Sequence, residues 1–274
     1  MQPALAHVSS LPAPLESELD DYAASQCEAV EIWFSKVETW LGQNSLDKLK
    51  ELLARFGLKM PVAAGQGGLL ASQGEARREA WELFRRRLTL SRELGVTTIV
   101  VAADIPAPQS QQDLDRVQVS LQQLAQEAGL AGRRVALEFQ ARSGFANNLQ
   151  TAAALIGEVG SPHLGVCFDA FHFANGPSKL ADLGYLTAAN LFHVQLSDIA
   201  DVPRELAADR DRILPGDGDI GLTPIVDHLR RIGYAGYVSV ELLNPQIWQV
   251  PPRQFSEIAL TALRKVLGQA SMGG

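Results

Sequence analysis

The chain has 274 residues, of which 46% are hydrophobic and 20% are charged, so it can bury a large core. Its net charge of −7 argues against a general affinity for nucleic acids or anionic membranes, because both require a basic face. The first residues lack the pattern of a signal peptide and no run approaches about 18 apolar residues, so we expect a cytoplasmic protein without a membrane span. Cys27 and Cys167 are expected to be buried, reduced thiols.

Apolar runs of strand length alternate with helical patterns along the whole chain. The predicted strands cover residues 4–9, 29–34, 58–64, 96–104, 134–139, 164–169, 191–198 and 237–242. The predicted helices cover residues 14–25, 45–56, 75–94, 111–128, a segment that begins at Asn147 or Asn148, a shorter piece at 179–183, and then 223–232 and 252–267. Gly57 and Gly95 are expected to end two of these helices, and Asn44 or Ser45 to cap one.

The alternation repeats eight times without a break in composition. The strands are continuous apolar runs, which is typical of parallel strands that are buried on both faces. This pattern predicts a single (β/α)8 barrel, forming one domain over residues 1–274. The alternative is a doubly wound open sheet, which at this length normally has fewer strands or an added edge motif.

Polar side chains end four of the predicted strands. Glu138, Asp169 and Glu241 end three of them, and His193 and Gln195 lie together near the end of another. In a barrel all strands end at the same face, so we expect these side chains to converge. Three carboxylates that meet in a buried place repel one another unless a cation or protons compensate, so the pattern indicates a divalent metal site.

Strand seven supplies the fourth ligand in this prediction. His193 and Gln195 point to the same face of the strand, which leaves open which of them reaches the metal. Glu138, Asp169, Gln195 and Glu241 would form an all-oxygen shell, which favours Mg²⁺ or Mn²⁺. If His193 or His172 joins the shell, Zn²⁺ or Co²⁺ fits as well, and no CxxC or HExxH motif points to another zinc site.

Three further residues are predicted to contact the substrate. His172 follows Asp169 by three positions and is expected to bind the substrate or the metal, and Arg212 lies in a long loop that could cover a substrate oxygen. His193 is the third, if Gln195 is the ligand. The same loop contains a G-x-G-x-x-G match at residues 216–221, but the acidic spacers would repel a pyrophosphate and no strand leads into it. An unphosphorylated substrate is therefore favoured.

Several segments resemble one known family. The segments CFDAFHF, HVQLSD, DVPRELAADRDRILPGDGDI and GYVSVELLNPQIW are similar to those of the xylose isomerase-like barrels, the superfamily of sugar phosphate isomerases and epimerases and of AP endonuclease 2. Within it the sequence is most similar to the inosose isomerases of inositol catabolism. Gln195 departs from them, since they carry a histidine there, and looks more like the hydroxypyruvate isomerases and some 3-dehydroshikimate dehydratases.

The resemblance implies that Glu138, Asp169, the strand-seven residue and Glu241 hold the metal, and that the two glutamates act as acid and base. The implied reaction is the isomerisation or epimerisation of an unphosphorylated keto-sugar or inosose through a metal-bound enediolate. One alternative is a metal-dependent dehydratase, for which Arg142 or Arg212 would bind a substrate carboxylate. Another is a barrel that is not catalytic or that needs a partner chain. The expected binding partner is a small keto-sugar or polyol substrate. We expect no binding to nucleic acid or to membranes, and a homo-oligomer is possible.

Overall fold

Eight parallel β-strands are hydrogen-bonded in chain order into a closed barrel in the computed structural model, which describes residues 1–107 and 109–269. The strands are β1 Gln2–Ala6, β2 Ala29–Trp33, β3 Lys59–Gln66, β4 Thr98–Ala102, β5 Arg134–Glu138, β6 Leu164–Asp169, β7 Leu191–Leu196 and β8 Tyr237–Val240. Because β8 pairs with β1, the sheet has no open edge there. The predicted (β/α)8 barrel is thus confirmed, and the doubly wound open sheet was the wrong alternative.

Helices follow the strands along the chain. The α-helices are α1 Leu15–Ala24, α2 Phe34–Leu41, α3 Leu46–Phe56, α4 Gly74–Leu94, α5 Gln111–Leu130, α6 Leu149–Val159, α7 Ala170–Asn175, α8 Leu222–Arg231 and α9 Pro252–Val266. Short 3-10 helices cover His7–Ser10, Leu180–Tyr185, Asp209–Asp211 and Ile247–Gln249. Within the part of the chain that the structure describes, none of the helices combines the length and the apolar character that crossing a bilayer requires.

The chain divides into two compact units. The first unit contains residues 1–61 and the described residues from Val194 onward, and the second contains residues 62–193. The assignment of residues 1–274 to one domain remains a prediction.

In the first unit, β1 is hydrogen-bonded to β2 on one side and to β8 on the other. Helix α1 packs on α9, whose buried Phe255, Ala259 and Leu263 recur every four residues and form one apolar stripe. The side chain of Ser45 accepts a hydrogen bond from the backbone N–H of Lys48 and caps α3, which ends at Gly57 with a φ of 66°. The choice between Asn44 and Ser45 as the cap is thereby settled in favour of Ser45.

Two local predictions in the first unit were wrong. The first strand stops at Ala6, and His7–Ser10 form a 3-10 helix in place of the predicted strand end. Residue Phe34 does not end β2 but begins α2, a helix that the sequence analysis did not assign. Phe34 and Val37, three positions apart, are the buried residues of α2, so a helical spacing was present but too short to be recognised.

In the second unit, β4 pairs with β5, and β5 pairs with β6. Helix α4 ends at Gly95, where a φ of 74° requires the left-handed conformation that glycine adopts readily. Asn148, and not Asn147, caps α6 by accepting a hydrogen bond from the backbone N–H of Thr151. Cys167 in β6 and Cys27 in the first unit are both buried and neither forms a disulfide bond, as expected.

A buried group of ionisable side chains in the first unit links the 3-10 helix His7–Ser10, α1 and α2. The Nζ atom of Lys36 lies 2.6 Å from Oε2 of Glu18 and donates to the carbonyl oxygen of Ser10 at 2.8 Å. Nε2 of His7 is 3.8 Å from the same Oε2 atom. Burial raises the pKa of Glu18 to about 8, although the charge of Lys36 acts in the opposite direction. Burial lowers the pKa of His7 and of Lys36.

The Glu18→Gln variant is expected to change how stability depends on pH. Between about pH 4.5 and 8 the folded chain keeps a proton on Glu18 that the unfolded chain has released, so the free energy of unfolding falls as the pH rises. The variant should lose this decrease in the free energy of unfolding, which we expect to be on the order of 5 kcal/mol. Urea unfolding followed by circular dichroism at several pH values measures it. Glu16→Gln, which removes an exposed carboxylate of α1, is the control, and equal pH slopes in wild type and Glu18→Gln would contradict the prediction.

Candidate active site

Two carboxylates and an imidazole meet in the second unit. Glu138 ends β5, and its pairing with Cys167 in β6 places Asp169 two residues further along on the same face of the sheet. Asp169 ends β6 and caps α7, because its Oδ1 atom accepts a hydrogen bond of 2.8 Å from the backbone N–H of Phe171. This cap leads the chain into α7, which carries His172.

The His172 ring lies against both carboxylates. Its Nε2 atom is 3.8 Å from Oε1 of Glu138 and 3.7 Å from Oδ2 of Asp169. The backbone N–H of Ala141 points to Nδ1 at 3.5 Å, so a neutral ring would carry its proton on Nε2, next to the carboxylates. His172 can therefore donate a hydrogen bond toward this place, or coordinate an ion there through Nε2 as the other neutral tautomer, with its proton on Nδ1.

This donor set fits a divalent metal ion. One potential ligand atom from each of Glu138, Asp169 and His172 lies within 4.8 Å of the others, and all three residues are buried. Two carboxylate oxygens with one imidazole nitrogen suit Mn²⁺, Zn²⁺ or Co²⁺, and the carboxylates alone suit Mg²⁺. We refer to these three residues as the acidic cluster.

A second buried polar group lies in the first unit. β7 and β8 pair with Gln195 opposite Ser239, so Glu241, two residues beyond Ser239, is on the same face as Gln195. The Nε2 atom of Gln195 donates to Oε1 of Glu241 at 2.9 Å and to Oε1 of Glu31 at 2.7 Å. Both glutamates and Gln195 are at most 4% exposed.

Arg212 completes this group. Its Nη1 atom donates to Oε2 of Glu241 at 3.1 Å, and its Nε and Nη2 atoms both donate to Oδ1 of Asp209, at 3.1 and 3.0 Å. The amide of Asn244 donates to the Arg212 carbonyl oxygen at 2.9 Å. Arg212 is thus buried, and hydrogen bonds hold both its guanidinium group and its backbone. We refer to Glu31, Gln195, Arg212 and Glu241 as the glutamate network.

The loop that carries Arg212 is fastened to the end of β7. Asp198 accepts backbone N–H hydrogen bonds from Ile199, Gly216 and Ile220, and its own backbone forms an antiparallel bridge with Ile213. The N–H of Gly216 belongs to the G-x-G-x-x-G match and is used inside the loop. Gly218 packs against the backbone of Ile199, where a Cβ atom would clash. The structure of the loop therefore accounts for these glycines.

The predicted site residues therefore fall into two groups. Glu138, Asp169 and His172 meet in the second unit, and Gln195, Arg212 and Glu241 meet in the first. His193 lies in β7 two residues before Gln195 and is fully buried, and its role remains a prediction.

Glu31 was not among the predicted site residues. The signal was present, since Glu31 is the only charged residue in the strand AVEIW, but an isolated charge in an apolar run does not reveal its partners.

The barrel with acidic residues at its strand ends defines a class of protein. The model of the xylose isomerase-like TIM barrel family matches residues 19–266, and the chain belongs to this family. The inosose isomerase of Halalkalibacterium halodurans is 28% identical over 219 residues, covering 78% of this chain and 77% of the relative.

Another relative is named as a dehydratase and not as an isomerase. The 3-dehydroshikimate dehydratase of Pseudomonas putida is 24% identical over 268 residues, covering 96% of this chain but 41% of the relative. The crystal structure of the IolI protein, which contains a bound zinc atom, superposes with a TM-score of 0.92 at 23% identity, covering 99% of this chain and 100% of that one. The relatives thus include both isomerases and dehydratases.

Proposed function

We propose that this protein is a divalent-metal-dependent isomerase or epimerase that acts on an unphosphorylated keto-sugar or inosose. The acidic cluster is the observation that carries the proposal, because Glu138, Asp169 and His172 bring metal-binding atoms within 4.8 Å of one another. The similarity to inosose isomerases over more than three quarters of the chain supports the substrate class and a place in inositol catabolism. A cytoplasmic location remains a prediction.

The acidic cluster is the proposed anchor of the ion. Glu138 and Asp169 supply carboxylate oxygens, and His172 supplies either a ligand or a hydrogen-bond donor to a substrate oxygen. Gln195 and Glu241 are proposed as the other two ligands. Oxygen ligands favour Mn²⁺ or Mg²⁺, and a contribution from His172 makes Zn²⁺ or Co²⁺ suitable as well.

The proposed chemistry is proton transfer at a carbon next to a carbonyl group. When bound, the ion supplies the positive charge that makes such a carbon more acidic. Glu138 and Glu241 are proposed to remove the proton and to return it at the same or the neighbouring carbon. Arg212 and Gln195 each donate a hydrogen bond to Glu241, one to each oxygen, and so hold its carboxylate in one orientation. His172 and His193 are proposed to orient substrate oxygens.

The second candidate function is a dehydratase. The dehydratase relative matches 96% of this chain, which supports this alternative. It would use the same two glutamates but expel a β-hydroxyl group. The carboxylate of its substrate would need a cationic side chain, and Arg142 and Arg212 are the two candidates. Arg142 is exposed, and Arg212 donates to Asp209 and Glu241.

A substrate screen tests the proposal. Purified protein is incubated with Mn²⁺ in deuterated water and with inososes, ketoses or 3-dehydroshikimate, and the products are followed by NMR and ultraviolet absorption. We expect deuterium to enter the product of an inosose or ketose. An ultraviolet-absorbing product from 3-dehydroshikimate alone would favour the dehydratase. No turnover and no retained metal would favour a barrel that is not catalytic or that needs a partner chain.

A further inference from the structure

Glu31 occupies a place in the glutamate network that the proposed chemistry does not yet explain. It lies in the middle of β2 and is 1% exposed. Burying a carboxylate is costly, so a glutamate in the strand AVEIW calls for a specific function. Its Oε1 atom accepts a hydrogen bond of 2.7 Å from Nε2 of Gln195.

The two glutamates together fix the orientation of the Gln195 amide. Nε2 has two hydrogen atoms, and it donates to Glu31 and to Glu241. With the amide turned over, its oxygen would face two carboxylate oxygens and repel both, so the nitrogen must point toward the glutamates. Because the amide group is planar, Oε1 of Gln195 then points away from them. Without Glu31, a single acceptor would hold the amide less firmly.

We propose that Glu31 is a positioning residue that acts through Gln195 on Glu241. It holds the nitrogen of the Gln195 amide toward Glu241. One oxygen of Glu241 then accepts a hydrogen bond from Gln195, and the other accepts one from Arg212. Glu241 is thereby locked in the orientation in which it transfers the proton. This inference rests on the proposed function for its effect on catalysis, but the hydrogen bond itself can be tested without substrate or metal.

The same geometry explains why a glutamine suits position 195. One nitrogen of a glutamine offers two N–H groups, whereas a neutral histidine has one N–H in all. A neutral histidine at this place could donate to Glu31 or to Glu241, but not to both.

The experiment compares Glu31→Gln with wild type in two measurements. Glu28→Gln is the matched control, because Glu28 is exposed and lies just before the same strand. In the metal-free protein labelled with ¹⁵N-glutamine, the side-chain resonances of Gln195 are identified by their absence in Gln195→Asn. We expect both protons to resonate downfield in wild type and one to move upfield in Glu31→Gln. With the substrate found in the screen, kcat should fall about 10- to 100-fold at nearly unchanged KM.

A double variant guards against a folding defect. Gln195→Glu alone would place three carboxylates together and should lower the unfolding temperature. Adding Glu31→Gln should restore part of it, because the contact between positions 31 and 195 then has its donor and its acceptor exchanged, while position 195 still repels Glu241. The proposal is overturned if the Gln195 resonances do not respond to Glu31→Gln, or if kcat does not fall. If wild type turns over no substrate, the proposed function fails, and the resonances alone then decide whether Glu31 positions Gln195.

Discussion

Replacing Glu241 or Glu138 with glutamine is expected to reduce proton exchange between substrate and deuterated water by about 10²- to 10⁴-fold. Glutamine keeps the size of the side chain and one oxygen atom, but it cannot accept the substrate proton. Since both residues are proposed to transfer that proton, each single variant should be severely impaired, and the double variant should lose less than the two separate losses combined.

The exchange is measured by NMR as the loss of the substrate C–H signal. Glu158→Gln is the control, since Glu158 lies on the exposed side of α6 and outside both groups of site residues. Metal content is determined in parallel, because a variant that has lost its ion would be inactive for another reason. Undiminished exchange in Glu241→Gln with full metal content would remove Glu241 from the proton-transfer role.

Replacing Asp169 with asparagine is expected to weaken metal binding more than about 100-fold, since changes of residues that only support ligands already cost 10- to 100-fold. Asp169 is fully buried and one of its oxygens caps α7, which leaves Oδ2, the atom 3.7 Å from Nε2 of His172, to contact an ion. In wild type, a metal concentration of 100 times Kd should raise the free energy of unfolding by about 2.7 kcal/mol. The variant should show little of this gain at the same concentration.

Calorimetric titration with Mn²⁺ and the visible spectrum of the Co²⁺-loaded protein measure this effect. Asp182→Asn is the matched control, because Asp182 also accepts a backbone hydrogen bond at a helix start, from Lys179, but lies outside the acidic cluster. Equal Mn²⁺ affinity in wild type and Asp169→Asn would show that the acidic cluster is not the metal site. Chelator treatment of wild type should abolish turnover, and added Mn²⁺ should restore it.

The closed barrel could be predicted because its strands are apolar runs that stop at polar residues. The strand that ends at Asp169 was predicted with the bounds that the structure shows. The same feature made Glu138 and Glu241 candidate site residues, since a carboxylate at the end of an apolar run stands out in the sequence. Helix α2 was not predicted because it follows β2 without a turn. Phe34 therefore extends the apolar pattern of the strand.

Partners across long sequence distances could not be predicted in the same way. Glu31 and Gln195 are 164 positions apart, and nothing in either segment shows that the two side chains meet. The contact of Arg212 with a substrate oxygen stays a prediction, but the position of its guanidinium group between Glu241 and Asp209 was not foreseen. Such contacts depend on the register of distant strands and on the path of a loop, which local patterns do not determine.

The Asp198 side chain has a consequence for the speed of the reaction cycle. It ties the loop that carries Arg212 at both ends, through Ile199 on one side and Gly216 and Ile220 on the other. A loop fastened in this way is ordered when the chain folds and need not be ordered again each time a ligand arrives. In the proposed reaction, the closing of this loop should then not limit the rate of turnover.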